Sequence, residues 1–215
     1  MRGAWRTVAA AGLLTVLIGC ESAYYRGMER LGIHKRDILV DRVEEVQEAQ
    51  QEGQEQFRSA LEQFRALVSV DAGELDETYK KLDAEYRDSV AAADRIRERI
   101  NKVESVAEAL FDEWESELGQ YQSSALRADS AARLRETREH YKRLMAAMRR
   151  AEARLDPVLK PLHDQVLYLK HNLNARAIGA LRGELASIDG DVDALVKAME
   201  QSIAEADRFI QQMNK

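Results

Sequence analysis

The chain contains 215 residues, of which 45% are hydrophobic and 33% are charged, enough apolar content for a packed core, so a disordered chain is excluded. Its length allows one or two domains. The 32 basic and 38 acidic side chains give a net charge of −6, which argues against a nucleic-acid-binding protein. The 2 prolines and 11 glycines are too few for a loop-rich or all-β fold. The single cysteine cannot form an internal disulfide, and we expect neither a metal site nor a cofactor.

The first residues of the chain predict a lipoprotein signal peptide. Two arginines precede the apolar run 7–17, whose 11 residues are too few for a membrane span, which needs about 20. The run ends in the sequence LIGC, which resembles the lipobox of bacterial lipoproteins. That resemblance implies that a signal peptidase recognises Leu17 and Gly19, that residues 1–19 are removed, and that Cys20 carries the lipid.

An ordinary secretory signal with an incidental cysteine is the alternative. We favour lipidation because Cys20 is the only cysteine, lies at the end of the apolar run, and would be a liability as a free thiol in an oxidising compartment. Several acyl chains on one residue give stable membrane anchoring. Glu21, by similarity to Gram-negative lipoproteins, favours delivery to the outer membrane, so the predicted location is the cell envelope, facing the periplasm.

Residues 20–36 are predicted to be a tether between the lipid and a folded domain. Tyr24 and Tyr25 allow two interpretations. They can lie at the lipid headgroups, as interfacial tyrosines do, or they can pack on the end of the folded domain. Two glycines in this stretch weaken any helix there.

From Asp37, a plausible N-cap, to the end of the chain, apolar residues recur with alternating steps of four and three, a heptad pattern typical of long packed helices. The stripe forms four stretches, over 39–67, 75–114, 134–173 and 178–213. Short connections make consecutive helices antiparallel. The sequence therefore predicts an all-α, elongated antiparallel helical bundle or coiled coil of about four long helices over 37–215. The bundle is expected to splay where Gln50, Gly53 and Ser89 thin the stripe.

Two boundaries in the second half of the chain are less simple. Pro157 and Pro161 interrupt the third stretch without changing its phase, and we predict a bent but continuous helix. A new helix with Asp156 as N-cap and Pro157 in its first turn is the alternative. The phase changes between the third and fourth stretches, which predicts a turn within 171–175 with Asn174 as a cap.

Charges are unevenly distributed along the chain. Residues 37–119 carry 10 basic and 23 acidic side chains, whereas residues 125–160 carry 10 basic and 5 acidic ones. The favoured interpretation is that arginines of the third helix pair with the acidic first hairpin. The alternative is a basic surface for an anionic envelope component such as lipopolysaccharide, phospholipid headgroups or cell-wall polymer.

A search of the sequence for chemistry identifies no catalytic residues. His163 and His171 are eight positions apart and do not share a helix face, and no nucleophile elbow or phosphate-binding loop is present. We therefore expect no enzyme activity. The candidate interaction surface comprises Arg149, Arg150, His171, Asn172 and Asn174, although the favoured interpretation of the two asparagines is that they only cap helix ends.

Four segments together carry a family resemblance: Tyr24-Tyr25, residues 32–43 (GIHKRDILVDRV), residues 110–115, and residues 169–178. They resemble an uncharacterised proteobacterial lipoprotein family, catalogued as domain of unknown function 2959. The resemblance covers nearly all of the chain after the signal peptide. It implies a helical envelope protein and supplies no activity.

The expected function is that of a lipid-anchored periplasmic bundle with a structural or protein-interaction role in the cell envelope. Its expected partners are the membrane, through the lipid, and an unknown envelope protein or anionic envelope component. Oligomerisation is possible, and nucleic acid is not expected. The alternative is a binding module that opens near Gln50 and Ser89 to hold a lipid or other amphiphile.

Overall fold

Five helices make up the part of the chain that the computed structural model describes, residues 34–69, 75–172 and 175–214, the side chains of 175–177 excepted. The helices are α1 (Lys35–Ser69), α2 (Leu75–Leu118), α3 (Ser124–Glu152), α4 (Leu155–His171) and α5 (Ala175–Met213). Within these described ranges no strand is present. The all-α expectation is confirmed.

The helices form an antiparallel bundle of four rods, because α3 and α4 follow one another along the third rod. α1 packs against α2 and α5, and the third rod packs against the same two helices. We name the end at which α1 begins, α2 ends, α3 begins and α5 ends the basal end. The opposite end, where α1 ends and α5 begins, is the distal end.

The heptad stripe forms the core. Phe57, Phe64 and Phe209 are almost completely inaccessible, as are leucines and isoleucines of the stripe on every rod. Full burial of such a side chain contributes about 1.5–3 kcal/mol relative to exposure. Since a stripe of this width is buried only when neighbouring rods cover it, each helix depends on the others for its stability.

The predicted splaying at the thin part of the stripe is wrong. A methyl group added at Gly53 would lie 2.9 Å from Cδ1 of Ile96 and 3.6 Å from Cε of Met199, so α2 and α5 approach α1 closely at this level. Ser89 is fully buried and donates a hydrogen bond of 2.7 Å to the carbonyl of Glu85. Small residues here bring the rods together instead of separating them.

Helix α1 begins two residues before the position that the sequence suggested. Asp37 lies in its first turn, and the Asp37 amide donates to the carbonyl of His34 over 3.0 Å. The prediction of Asp37 as N-cap is therefore wrong. By contrast, α3 has a capped start, because Ser123 Oγ accepts a hydrogen bond of 3.3 Å from the Leu126 amide.

The third rod is interrupted at residues 153–154, so the prediction of a continuous helix is wrong. Both residues keep right-handed helical dihedrals, and the Arg154 amide donates to the carbonyl of Ala151, which tightens the turn. Pro157 lacks the N–H that would continue the ladder to the carbonyl of Ala153, which explains the position of the break. The alternative of a new helix is confirmed, but its N-cap at Asp156 is wrong, because α4 begins at Leu155 and Arg154 is the N-cap.

Candidate functional site

A cleft of about 610 Å³ opens at the basal end of the bundle. Its apolar walls come from stripe residues near the ends of α2 and α5, namely Leu110, Trp114, Phe209 and Met213. Its rim is polar and comprises Arg36, Glu113, Glu117, Arg133, Glu136, Thr137, His140 and Gln212. Apolar walls with a few polar groups are typical of small-molecule and peptide sites in proteins, and the volume lies in their range.

Trp114 is fixed in the wall of this cleft by a hydrogen bond. Its indole Nε1 donates to Ser130 Oγ over 2.8 Å, and Ser130 is buried. The bond joins α2 to the second turn of α3. A buried indole N–H requires such a partner, so Ser130 sets the orientation of the ring.

The charges at the rim are partly neutralised. Lys35 is only 7% exposed, and its Nζ forms an ion pair of 3.0 Å with Glu113. Arg133 pairs with Asp129 at 3.0 Å, whereas Glu117 is exposed and has no ion pair with another described residue. The rim therefore retains an excess of carboxylate groups.

An aromatic cluster lies next to the cleft, because Phe111 and Tyr141 directly follow Leu110 and His140, which line it. The rings of Phe111 and Tyr141 meet edge to face with centroids 5.3 Å apart, and the guanidinium of Arg138 lies 5.2 Å from the Phe111 centroid. Arg138 also forms an ion pair with Glu115. Burial, followed by the charge of Glu104, raises the pKa of Tyr141 well above its usual range, so this phenol stays protonated at physiological pH.

A second polar feature lies in the middle of the bundle. Gln50 and Ser202 are fully buried, and neither amide atom of Gln50 nor the hydroxyl of Ser202 has a hydrogen-bond partner among the described residues. The two side chains lie at the same level of α1 and α5, because Gln47 donates to the carbonyl of Ile203 and Gly53 approaches Met199. This level is closed, since Ile96 and Met199 already occupy the space beside Gly53.

The two candidate arginines have different environments. Arg149 donates to Glu152 over 2.8 Å and to Asn101 over 3.0 Å, and it also pairs with Glu104. The hydrogen bond to Glu152 is the largest contribution to the raised pKa of Arg149. Arg150 is exposed and forms no ion pair with a described residue. Arg149 therefore links α3 to α2, and only Arg150 is available to a partner.

The distal end carries the remaining described members of the candidate surface. His171 ends α4, and Asn172 caps it, its side chain donating to the Tyr168 carbonyl over 2.9 Å. Leu167 and Tyr168, which the sequence analysis did not single out, are 50% and 42% exposed beside them. Asn174 lies outside the described residues. We define the distal patch as Leu167, Tyr168, His171 and Asn172.

The predicted lipidation site lies outside the described residues, as do both positions of the predicted peptidase recognition. These are Cys20, Leu17 and Gly19. Within the described ranges, no group of three or more His, Cys, Asp and Glu side chains is arranged to hold a metal ion. No described helix has the length and apolar content required to cross a membrane.

The sequence pattern did not predict the basal cleft. Its apolar walls were all assigned to the stripe, as Leu110, Trp114, Phe209 and Met213, and a stripe position is normally covered. The available signal was the difference in helix ends. α2 and α3 extend to a connection around residue 120, whereas the pattern of α1 begins and that of α5 ends short of that level.

One comparison with known proteins identifies a family, and a search of curated proteins finds no match. The model of a family described as "Protein of unknown function (DUF2959)" matches residues 24–213. The match begins at Tyr24, so the segment before α1 is part of the matched unit, and it ends at the last residue of α5. It thus covers the whole bundle. The chain belongs to the DUF2959 family of proteins of unknown function.

Proposed function

We propose that this chain is a lipid-anchored helical bundle of the bacterial cell envelope, with a structural or protein-interaction role. The LIGC sequence that ends at Cys20 supports a covalent lipid, and Glu21 supports the outer membrane. The anchor then lies 14 residues before His34, the first described residue, on the basal side of the bundle. The bundle is the part that extends from the membrane surface.

The observation that supports this proposal most is the position of the exposed apolar side chains at the two ends of a long bundle. Helix α2 has 44 residues, about 66 Å at 1.5 Å per residue, and it runs from the distal end to the basal end. The large exposed apolar side chains in the described ranges all lie at the two ends, Tyr121 and Leu126 at the basal end and Leu167 and Tyr168 at the distal end. An anchor at one end presents the distal patch to a partner far from the lipid.

The charge distribution supports a structural role over a basic binding surface. Arginines of the third rod pair with acidic residues of α2, through Arg138 with Glu115 and Arg149 with Glu104. Arg143 lies 3.7 Å from Glu205 of α5, an ion-pair distance. The basic excess of this rod is therefore used largely within the bundle.

Membrane fractionation tests the anchor. The Cys20→Ser chain is expected in the soluble periplasmic fraction, whereas the wild-type chain stays with the outer membrane. A Ser22→Ala chain, altered two residues further on, is the matched control and is expected to remain in the membrane. Recovery of the Cys20→Ser chain in the membrane at the wild-type level would remove the lipid from the proposal.

Crosslinking in living cells tests the interaction role. A photo-crosslinking residue at Leu167 is expected to capture a defined envelope protein, and His171→Ala in the same chain is expected to weaken the capture. A probe at Gln51, exposed in the middle of α1, is the control and is expected to capture little. Equal capture from both positions would contradict a specific distal patch.

The alternative, a module that binds an amphiphile, has less support at its predicted place. The level of Gln50 and Ser89 is closely packed, so an opening there requires separation of α1 from α2 and α5. Native mass spectrometry of the purified chain distinguishes the two functions. A lipid that co-purifies in a fixed ratio would favour the binding module.

A further inference from the structure

Among the described residues, no helix covers the basal cleft on the side where α1 begins. Lys35, the first residue of α1, pairs with Glu113, so α2 continues beyond α1 for about one turn and a half. The first six residues of α3, over 124–129, are exposed. The hairpin of α2 and α3 thus projects past the described start of α1, and Trp114 lines the cleft near this end of α1, where Arg36 lies on the rim.

The segment before His34 is the part of this chain that can supply the missing wall. Arg36 lies on the rim, two positions after His34, the first described residue, so the segment joins the described chain close to the cleft. Residues 24–33 reach up to about 35 Å when extended, which is more than enough to cross it. The segment contributes apolar side chains at positions 24, 25, 28, 31 and 33, which are Tyr, Tyr, Met, Leu and Ile.

Charge complementarity favours the same occupant. The segment 24–33 carries Arg26 and Arg30 against the single carboxylate of Glu29. The rim has three carboxylates and two guanidinium groups, those of Arg36 and Arg133; Glu113 is already paired with Lys35, and Arg133 with Asp129. Glu117 remains exposed without an ion pair to a described residue, and it is available to an incoming arginine.

We propose that the segment 24–33 folds back on the basal end and places Tyr24 and Tyr25 in the cleft beside Trp114 and Phe209. The two phenol rings bury apolar area chiefly against the half-buried Trp114, because Phe209 is only 1% exposed, and their hydroxyl groups reach the polar rim. The family match supports this assignment, because it includes the segment and begins at Tyr24 itself.

Docking has a consequence for the position of the bundle, and this step rests on the proposed lipid anchor. With residues 24–33 docked, only Glu21 to Ala23 separate the bundle from Cys20, a span of about 10 Å. An undocked tether of residues 21–33 would reach about 45 Å. Docking therefore holds the basal end at the lipid surface, where exposed Tyr121 and Leu126 meet the headgroups.

Site-specific crosslinking in membranes tests the docking with the full chain. A photo-reactive benzoylphenylalanine in place of Tyr25 is expected to form adducts within the chain, on peptides that contain Leu110 to Trp114 or Phe209 to Met213. The same probe in place of Tyr168 at the distal end is the control and is expected to label neither peptide. Adducts only to phospholipid or to other proteins, or no adduct within the chain, would overturn the proposal.

The outcome for docking is separable from the outcome for the anchor. Docking uses contacts within the chain, so the Tyr25 adduct is expected in the Cys20→Ser chain as well as in the wild type. Loss of membrane attachment with retention of the adduct would support both proposals. Retention of membrane attachment without the adduct would overturn docking alone.

Fluorescence gives a second measurement that does not depend on a probe. The chain has two tryptophans, and Trp5→Phe leaves Trp114 as the reporter. In that background, Tyr24→Ala with Tyr25→Ala is expected to shift the Trp114 emission to longer wavelength and to increase its quenching by acrylamide. Tyr121→Ala with Tyr168→Ala is the matched control. Unchanged Trp114 emission and quenching after loss of Tyr24 and Tyr25 would overturn the proposal.

Discussion

The packing of the middle of the bundle and that of its basal end are both the opposite of what their stripe residues suggest. The middle has polar and small residues in its stripe, Gln50 and Gly53, yet its core is closed. The basal end has the large apolar residue Trp114 in its stripe, yet a cleft opens beside it, although Phe209 and Met213 in the same walls are buried. Side-chain size alone therefore does not determine where a bundle is open.

The number of rods at each level explains the difference. In the middle, α1, α2 and α5 meet around Gly53, and the absence of a side chain allows their close approach. At the basal end, α1 begins at Lys35, so among the described helices the stripe of α2 has one neighbour fewer beyond Glu113. Burial requires a partner surface as well as an apolar residue.

Truncation of a core ring should give the largest effect and should differ between the two regions. Phe57→Ala in the closed middle is expected to lower the free energy of unfolding by about 3–5 kcal/mol, because it leaves a cavity. Trp114→Ala is expected to cost less, since one side of this ring already faces the cleft. Chemical denaturation followed by circular dichroism measures both losses. Equal losses would contradict the contrast between the regions.

Replacement of Gln50, whose buried amide has no hydrogen-bond partner among the described residues, should increase the stability of the bundle. Gln50→Leu keeps a similar volume and removes two buried polar atoms without partners, so we expect the free energy of unfolding to rise by about 1–3 kcal/mol. The control is Gln47→Leu, which loses hydrogen bonds to the Ile203 carbonyl and to Asp207 and is expected to destabilise. A loss of stability in Gln50→Leu would mean that its amide has a partner in solution.

Replacement of glycines by alanine tests whether the helices approach each other closely at Gly53 in the middle of the bundle. Gly190→Ala is expected to stabilise α5 by about 0.5–1 kcal/mol, because a methyl group there meets no atom within 4 Å and alanine favours the helix. Gly53→Ala brings its methyl group to 2.9 Å from Ile96 and is expected to be less stable than Gly190→Ala. Thermal unfolding compares the two. A similar gain at both positions would show that α2 can move away.

Removal of surface ion pairs should have the smallest effect on stability, and the effect should be equal in the middle and near the basal end. Hydrogen bonds from Lys102 and Lys142 lower the pKa of Glu98 in the middle and of Glu139 near the basal end, below their ordinary 4.5. Because the folded-state pKa is the lower one, this stabilisation is complete above pH 4.5 and is lost as the pH falls through the folded-state value. Lys102→Gln and Lys142→Gln should flatten the acid side of the melting-temperature profile equally. A larger change for either would contradict this.

Much of this protein follows from the pattern of its residues. Steps of four and three place apolar side chains on one face of a helix, so the stripe predicted four rods and most of the core, including the fully buried Leu82, Ile100 and Leu195. It did not include Leu144 and Val158, which are also fully buried. Short connections implied antiparallel neighbours, as the contacts confirm. These features depend on local periodicity, which a single sequence contains.

Other features depend on which helix lies beside which, and at what level. Heptad phase did not reveal that α2 and α3 extend beyond α1, so it assigned Trp114 to the core instead of to a cleft. It placed Gln50 and Gly53 at a point of splaying, whereas three rods meet there. Nor did it show that Arg149 is tied to Glu104 while Arg150 is not. Periodicity determines which face of a helix is buried, and only the axial register and the ends of the neighbouring rods decide what that face meets.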